Sequence, residues 1–254
     1  MQLMLSKARI STITSLKAGK YRKKLGLFIA EGTTNVLDLI AGGMEAEQII
    51  ATPKWIRNHA QPVKGIGLEE ADEKTLLKVS NLKTPPEVLA IFRIPQQTAP
   101  DLQTFDDLAL MLDDIRDPGN LGTIIRTADW FGIRQILCSG KTVDVYNPKV
   151  VQASMGSLGR VQVHYGDLPA MLAEKPDYLK VFAAVLNGRN IDDVPKPHRG
   201  IIMIGNESRG ISKALLDYVD ERITIPNVPL PDGKSAESLN ASIAAAIICY
   251  AFRR

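Results

Sequence analysis

The sequence is poor in the residues that build metal centres, disulfide frameworks and histidine-based active sites. Its 254 residues include two cysteines and three histidines. Cys138 and Cys249 lie within apolar stretches, where cysteine usually acts as a small buried hydrophobic residue. His59, His164 and His198 are scattered without the spacing of metal ligands. We therefore expect no disulfide framework, no metal site and no catalytic histidine.

Long hydrophobic runs and the common phosphate-binding loops are absent as well. No apolar stretch reaches the ~18–20 residues that a membrane-spanning helix needs. The N-terminus, MQLMLSKARI, lacks the sustained hydrophobic region of a signal peptide. We therefore expect a cytoplasmic globular protein. The chain contains neither GxxxxGKS/T nor GxGxxG, which argues against a P-loop enzyme and against a nicotinamide-dependent oxidoreductase.

Acidic residues are missing from the first 24 positions, although the whole chain has a net charge of only +3. Residues 1–100 carry 14 basic and 9 acidic side chains, whereas the remainder carries 17 and 19. One interpretation is an RNA-binding face, because Lys and Arg bind phosphates independently of nucleotide sequence. The other is a solvated amphipathic helix, because Ile10, Ile13 and Leu16 recur at helical spacing. The candidate RNA-binding residues are Lys7, Arg9, Lys17, Lys20, Arg22, Lys23 and Lys24.

The pattern of apolar segments predicts two α/β regions. Residues 6–24 are predicted as helix and LGLFIAEG as a strand, and further helices and strands alternate as far as VLAIFRI. This alternation indicates a small α/β domain over residues 1–96, and the polar, proline-bearing residues 97–104 are predicted as a linker. Residues 105–254 contain continuously hydrophobic strands, which are typical of a parallel sheet covered on both faces. Such sheets bind ligands beyond the carboxyl ends of their strands.

Two polar loops follow apolar strands in the second region. In LDDIRDPGNLGTIIRTADWFG, Asn120 could cap a helix, and Arg126 lies about two turns into that helix. The simplest interpretation of Arg126 is a surface pair with Asp129. In IGNESRG, Gly205 lets the backbone approach a ligand closely, and Gly210 permits a turn. Each loop alone is weak support for a ligand site.

A third loop joins ITIPN to the C-terminal segment SLNASIAAAI. Ser235 or Ser238 could cap the final helix, but capping does not explain Asn240 as well. Four alanines between positions 241 and 246 leave little side-chain bulk, so another backbone or helix can come close. This composition suits a subunit interface or a tight chain crossing.

Together, DPGNLGTIIRTADWFG, IGNESRG and IPNVPLPDGKSAESLNASIAAAI resemble the three motifs of the SpoU (TrmH-type) RNA 2′-O-ribose methyltransferases, part of the SPOUT superfamily. The resemblance covers about residues 105–254, and FIAEG with its preceding basic helix resembles the small substrate-binding α/β domain of many members. It implies a C-terminal α/β fold with a mostly parallel sheet and a deep trefoil knot, which general topology rules would not predict. It also implies a homodimer that pairs through the knotted domain.

The resemblance further implies S-adenosyl-L-methionine as cofactor and structured RNA as substrate, with ribosomal RNA favoured over transfer RNA. It gives Arg126 the central catalytic role. Because a guanidinium is a poor proton acceptor, we expect Arg126 to bind the adjacent phosphate and stabilise the developing alkoxide; only a neutral Arg126 could remove the proton. The supporting catalytic residues are Asn120, Glu207, Ser238 and Asn240. The implied cofactor-binding residues are Leu186, Gly205, Asn206, Ile225, Pro226 and Leu239.

A knotted RNA-binding protein without turnover is the alternative function. The joint presence of Arg126, Glu207 and Asn240 favours the enzyme. One departure from the family pattern is the segment between Ile225 and Ser238, which is longer than the compact loop common in the family and could alter the pocket rim or the RNA that is accepted.

Overall fold

The computed structural model describes residues 5–96, 98–228 and 236–254, which form two compact units. The first unit holds the described residues up to Gln96 together with Asp144–Arg160. The second unit holds the remaining described residues, which include 98–104 of the predicted linker. Among the described residues, no helix combines the length and the apolar character that crossing a bilayer requires.

The strands and helices alternate along most of the described chain. The strands are β1 (Leu27–Glu31), β2 (Ala46–Ala51), β3 (Gly67–Glu70), β4 (Val88–Arg93), β5 (Leu108–Leu112), β6 (Gln135–Ser139), β7 (Gln162–Gly166), β8 (Val181–Asn190), β9 (Gly200–Ile204) and β10 (Glu221–Thr224). The α-helices are α1 (Lys7–Ser15), α2 (Gly19–Leu25), α3 (Thr33–Ala41), α4 (Pro53–Asn58), α5 (Glu73–Val79), α6 (Pro118–Trp130), α7 (Pro148–Ser154), α8 (Leu168–Ala173), α9 (Lys213–Leu216) and α10 (Ala241–Arg253).

The first unit is built on a four-stranded mixed sheet in the order β1-β4-β2-β3. Strand β4 pairs antiparallel with both β1 and β2, and β2 pairs parallel with β3. The predicted helix over residues 6–24 is two helices, α1 and α2. The chain breaks between them at Ala18, whose backbone is extended, and Arg22 Nη1 donates to the carbonyl oxygens of Leu16 and Lys17 at 2.8 and 2.9 Å.

Residues 144–160 were predicted to belong to the C-terminal domain, and the structure places them in the first unit. Asp144 Oδ2 accepts a hydrogen bond from Arg22 Nε at 3.0 Å. The ring of Tyr146 lies against Phe28 of β1, with the ring centroids 4.7 Å apart. These contacts join the segment to α2 and β1 through side chains more than 100 positions apart in sequence, which local sequence patterns do not reveal.

The second unit contains a six-stranded sheet in the order β10-β8-β9-β5-β6-β7, and every strand pair is parallel. All residues of β5 and β9 are buried, so the central strands are covered on both faces. The predicted fold class, α/β with a mostly parallel sheet, is confirmed. Because all six strands run the same way, the loops after β5, β9 and β10 leave one edge of the sheet.

Candidate active site

The loop after β5 leads into α6, and Asp117 caps this helix. Asp117 Oδ1 accepts a hydrogen bond from the Asn120 backbone N–H at 2.8 Å. The helix begins at Pro118, a residue suited to the first helical position because it has no N–H to leave unpaired. The prediction that Asn120 caps the helix is therefore wrong. Its side chain, three residues into the helix, is free for other contacts.

Three of the predicted catalytic side chains, one from each loop, form a hydrogen-bonded row. Asn240 Nδ2 donates to Asn120 Oδ1 at 2.9 Å. Asn120 Nδ2 in turn donates to Glu207 Oε1 at 2.5 Å. The carboxylate at one end orients both amides, because it can only accept hydrogen bonds when ionised. The row thus fixes the start of α6, the loop after β9 and the start of α10 relative to one another.

Asn206 organises the loop after β9 with both ends of its side-chain amide. Its Oδ1 accepts hydrogen bonds from the backbone N–H groups of Ser208 and Arg209 at 3.0 and 3.1 Å. Its Nδ2 donates to the Asp114 carbonyl oxygen at 2.9 Å. Asn206 and Gly210 also exchange two backbone hydrogen bonds of 3.0 and 2.8 Å.

The structure favours glycine at positions 205 and 210 for different reasons. Gly210 has φ +66°, a left-handed conformation that favours glycine, in agreement with the predicted turn. A Cβ on Gly205 would lie 2.3 Å from the carbonyl carbon of Gly210. Gly205 therefore permits a close approach, but of the loop's own returning backbone.

Asn240, which capping was thought not to explain, is the N-cap of α10. Its Oδ1 accepts hydrogen bonds from the backbone N–H of Ser242 at 2.9 Å and from that of Ile243 at 3.4 Å. Ser242 Oγ donates to the same oxygen at 2.7 Å. The amide thus caps the helix with its oxygen while its nitrogen extends the row. Ser235 and most of the long loop, residues 229–235, lie outside the described residues.

A cavity of about 920 Å³ lies beside β8, the loop after β9 and the start of α10. Its volume falls in the ~300–1,000 Å³ range of small-molecule sites. Leu186 and Leu239 line it with 68% and 47% of their surface exposed, so an apolar wall is available to a nucleoside base. All six predicted cofactor-binding residues line it: Leu186, Gly205, Asn206, Ile225, Pro226 and Leu239.

These features fit the predicted cofactor, which combines a nucleoside with a charged amino-acid group. Glu207 and Ser238 also line the cavity and add polar groups to its wall. Arg126, Asn120 and Asn240 are not among its lining residues. The cavity and the row meet at Glu207, which belongs to both.

Arg126 is exposed on α6, about 9 Å along the helix axis from Asn120 at ~1.5 Å per residue. No hydrogen bond or salt bridge joins its guanidinium to another residue within 5–96, 98–228 and 236–254. Within these ranges its donors are available to a substrate.

The predicted RNA-binding cations of the first unit divide into two groups. Lys7, Lys20, Lys23 and Lys24 are exposed, and Arg9 is half-buried. Lys17 Nζ donates to the Ser80 carbonyl oxygen at 2.7 Å. Arg22 is only 3% exposed, and its donors are directed to Asp144 and to two backbone carbonyls, so the structure contradicts an RNA contact by this residue.

The two cysteines are buried and free, as predicted. Burial raises the pKa of the Cys249 thiol to about 12 and raises that of Cys138 still further. Since the thiolate is the reactive form, neither residue can act as a nucleophile near neutral pH.

Several residues that line the cavity were not predicted from the sequence. Ala184, Val185 and Asn187 belong to β8, and Ala244 and Ile248 belong to α10. For the β8 residues, the available signal was a strand position next to Leu186. For Ala244 and Ile248, it was helical spacing after Asn240. Arg209 lies inside the second motif, and nothing in the letters alone distinguishes it from a solvated surface arginine.

Comparisons with known proteins identify both parts of the chain. Residues 107–250 match the model of the SpoU rRNA Methylase family, and residues 7–90 match the MRM3-like substrate binding domain. The 23S rRNA guanosine 2′-O-methyltransferase RlmP of Bacillus subtilis is 30% identical over 241 residues, which cover 94% of this chain and 93% of that protein.

Solved structures give the same result. A TrmH-family protein from Porphyromonas gingivalis is 36% identical, with a TM-score of 0.87 and 98% of each chain covered. An AdoMet-bound rRNA methyltransferase from Sinorhizobium meliloti is 26% identical, with a TM-score of 0.85 and coverage of 98% of this chain and 95% of that one. The predicted family is confirmed: the chain belongs to the SpoU rRNA methylase family.

Proposed function

We propose that this protein is an enzyme that transfers a methyl group from S-adenosyl-L-methionine to a ribose 2′-hydroxyl of ribosomal RNA. The observation that carries the proposal is that Glu207 belongs to two features of the second unit. One is the cavity lined by all six predicted cofactor residues, and the other is the hydrogen-bonded row formed from the three motif loops. The names of the relatives support ribosomal RNA over transfer RNA.

The cofactor supplies an electrophilic methyl group. In our proposal Leu186 and Leu239 pack against its nucleoside base, and the backbone at Gly205, Ile225 and Pro226 holds the remainder. Asn206 fixes the loop after β9 that forms one wall of the cavity. Ser238, also in the wall, contacts either the cofactor or the ribose.

Arg126 acts on the RNA side of the reaction. Methyl transfer needs the 2′-oxygen held in line with the methyl group, and negative charge develops on that oxygen as its proton leaves. A guanidinium without a partner among the described residues can grip the neighbouring phosphate with two donors and stabilise the alkoxide. Asn120, held between Asn240 and Glu207, orients the ribose.

The first unit binds RNA outside the reacting nucleotide. Four exposed lysines support this role, together with the match to a substrate binding domain. Lys20, Lys23 and Lys24 lie on the short helix α2, where they give a compact group of phosphate-binding charges. Arg22, from the same helix, is excluded by its burial.

The proposal includes a homodimer and a C-terminal trefoil knot. Ile243, Ile247 and Tyr250 expose an apolar stripe on α10, and Trp130 at the end of α6 is 84% exposed. Phe131 and Tyr250 bring the two helices together with their ring centroids 6.4 Å apart, so one second copy could cover both. For the knot, the support is that α10 and the loop after β9 line one cavity. Tyr250→Glu should raise the dimer dissociation constant in sedimentation equilibrium.

The cytoplasmic location belongs to the same proposal, since ribosomal RNA is accessible there. Fractionation of cells that express a tagged protein tests it, and recovery with ribosome precursors is the expected result.

The test of the function uses total ribosomal RNA from a strain that lacks the gene, with transfer RNA from that strain as the comparison. We expect purified protein to transfer labelled methyl from S-adenosyl-L-methionine to the ribosomal RNA alone. The labelled nucleotide should resist alkaline cleavage on its 3′ side, because its 2′-oxygen is blocked. Label on a base, or none on either RNA, would overturn the proposal, and label on transfer RNA alone would overturn its choice of substrate.

A further inference from the structure

Asp114 is a buried carboxylate in an unfavourable backbone conformation beside the candidate active site. It lies just beyond β5 with φ +59°, and the whole residue is 7% exposed. Aspartate tolerates this left-handed region better than most residues, but the conformation still needs support from its surroundings. Its backbone N–H donates to Ser139 Oγ at 2.9 Å, and its carbonyl accepts from Asn206 Nδ2 at 2.9 Å.

Two arginines meet this single carboxylate. Arg116 Nε donates to Asp114 Oδ1 at 2.7 Å, and Arg209 Nη1 lies 3.7 Å from Asp114 Oδ2. The side chains of Arg116 and Arg209 nevertheless remain 54% and 67% exposed. One negative charge therefore holds two cations, which leaves the group with a net charge of +1 and with most guanidinium donors facing solvent.

The two arginines come from the loops after β5 and β9, which also carry residues of the proposed active site. Arg116 immediately precedes Asp117, the cap of the helix that carries Asn120 and Arg126. Arg209 follows Glu207 by two residues, and its backbone N–H is fixed by Asn206 Oδ1. Arg209 also lines both the 920 Å³ cavity and a neighbouring cavity of about 450 Å³.

We propose that Arg116 and Arg209 form a phosphodiester-binding site for the RNA next to the methylated ribose, with Asp114 as the positioning residue that holds them together. Planar guanidinium groups bind phosphate with paired donors, and a common anchor reduces the side-chain freedom lost on binding. A surface ion pair that merely neutralised Asp114 would need only one arginine. The inference rests on the proposed function, since it places an RNA strand at this edge.

The experiment compares Arg116→Gln, Arg209→Gln, the double variant and Asp114→Asn with wild-type enzyme on the same ribosomal RNA. Arg199→Gln is the matched control, because Arg199 Nη1 pairs with Asp106 Oδ1 at 2.8 Å on the surface of the same unit, outside both cavities. The measurements are KM and kcat of methyl transfer, RNA affinity as a function of salt, cofactor affinity and thermal stability.

Each single arginine variant should raise the KM for RNA about three- to tenfold and lower the slope of log affinity against log salt by about 1. Arg116→Gln should leave cofactor affinity and melting temperature unchanged, because Arg116 does not line the 920 Å³ cavity. Asp114→Asn should also raise the KM for RNA, because the charge that holds the two arginines together is lost. The factor should be smaller than for the arginine variants, because both guanidinium groups remain and asparagine tolerates the same backbone conformation.

Unchanged KM and salt dependence in the double variant, or changes equal to those of Arg199→Gln, would overturn the inference. So would a loss of RNA affinity that tracks a fall in melting temperature. If wild-type enzyme methylates ribosomal RNA while these variants behave as wild type, this inference alone fails. If wild-type enzyme transfers no methyl, the proposed function fails first.

Discussion

The functional residues predicted from sequence fall into two groups, one in the basic N-terminal segment and one in the three motif loops. The two groups differ in how well their contacts match their predicted roles. In the second unit, Asn120, Glu207 and Asn240 come from three different loops and form one hydrogen-bonded row. In the first unit, Lys17 and Arg22 turn inward to partners 63 and 122 positions away. Strand topology brings loops together reliably, whereas the exposure of a cation depends on distant partners.

The largest expected effect comes from substitution of Arg126 in the second unit. Arg126→Ala should lower kcat of methyl transfer at least ~10²-fold, because it removes the donors proposed to stabilise the alkoxide. Cofactor affinity, measured by calorimetry, should be unchanged, since Arg126 does not line the cavity. Arg126→Lys should also be nearly inactive, because an ammonium group lacks the forked geometry.

Arg134→Ala is the control for Arg126, because Arg134 is also exposed in the second unit. Its turnover should match that of wild type. Full turnover by Arg126→Ala would contradict the catalytic role proposed for Arg126.

In the first unit, two substitutions on α2 distinguish a structural cation, Arg22, from an exposed cation proposed to bind RNA, Lys23. Arg22→Gln should lower the free energy of unfolding by about 3 kcal/mol, because it removes a buried guanidinium that pairs with the half-buried Asp144 and with two backbone carbonyls. Lys23→Gln, one position along and exposed, should change it by less than ~0.5 kcal/mol. Only Lys23→Gln should weaken the salt dependence of RNA binding, by about one unit of slope.

Chemical denaturation gives the stabilities, and filter binding over a salt series gives the slopes. If Arg22→Gln reduced the salt slope of a fully folded protein, the assignment of Arg22 to structure rather than to RNA would be wrong.

Much of the fold was predictable because it depends on local patterns. Continuous apolar segments such as LALML and GIIMI marked the buried strands β5 and β9. Strand β3 was missed because GLEE has a single large apolar residue and no alternation. The attachment of residues 144–160 to the first unit was missed because it depends on Arg22 and Asp144, which are far apart in sequence.

The predicted site residues remain predictions, although the six cofactor candidates line one cavity. Their positions followed from the family motifs. The capping roles of Asp117 and Asn240 did not, because several polar residues near each helix start were equally good candidates. The meeting of Arg116 and Arg209 at Asp114 required the three-dimensional structure, since the arginines come from separate loops.

A smaller effect should follow from the backbone of the loop after β9. Gly205→Ala would place a Cβ 2.3 Å from the Gly210 carbonyl carbon, so the loop must shift, at a cost of about 1–3 kcal/mol in unfolding free energy. Cofactor affinity should fall because the same loop lines the cavity. Gly140→Ala is the control, because a Cβ there would meet no atom within 4 Å. Equal cofactor affinity in both variants would contradict the role of this backbone.

The smallest expected effect concerns His164 of β7, a buried titratable group in the second unit that none of the three loops contains. Its Nε2 lies 2.8 Å from Gln135 Oε1, and burial lowers the pKa of the ring below its ordinary value near 6.5. The unfolded chain therefore binds a proton more readily than the native protein. Stability should be complete above pH ~6.5 and should fall at lower pH, by at most ~1.4 kcal/mol per pH unit for one group. Unfolding free energies of wild type and His164→Gln, measured from pH 7.5 to 5.0, should converge as the pH falls, because only wild type carries the protonation penalty. A constant difference across this range would show that His164 does not couple protonation to folding, and it would leave the acid sensitivity of the protein to its carboxylates.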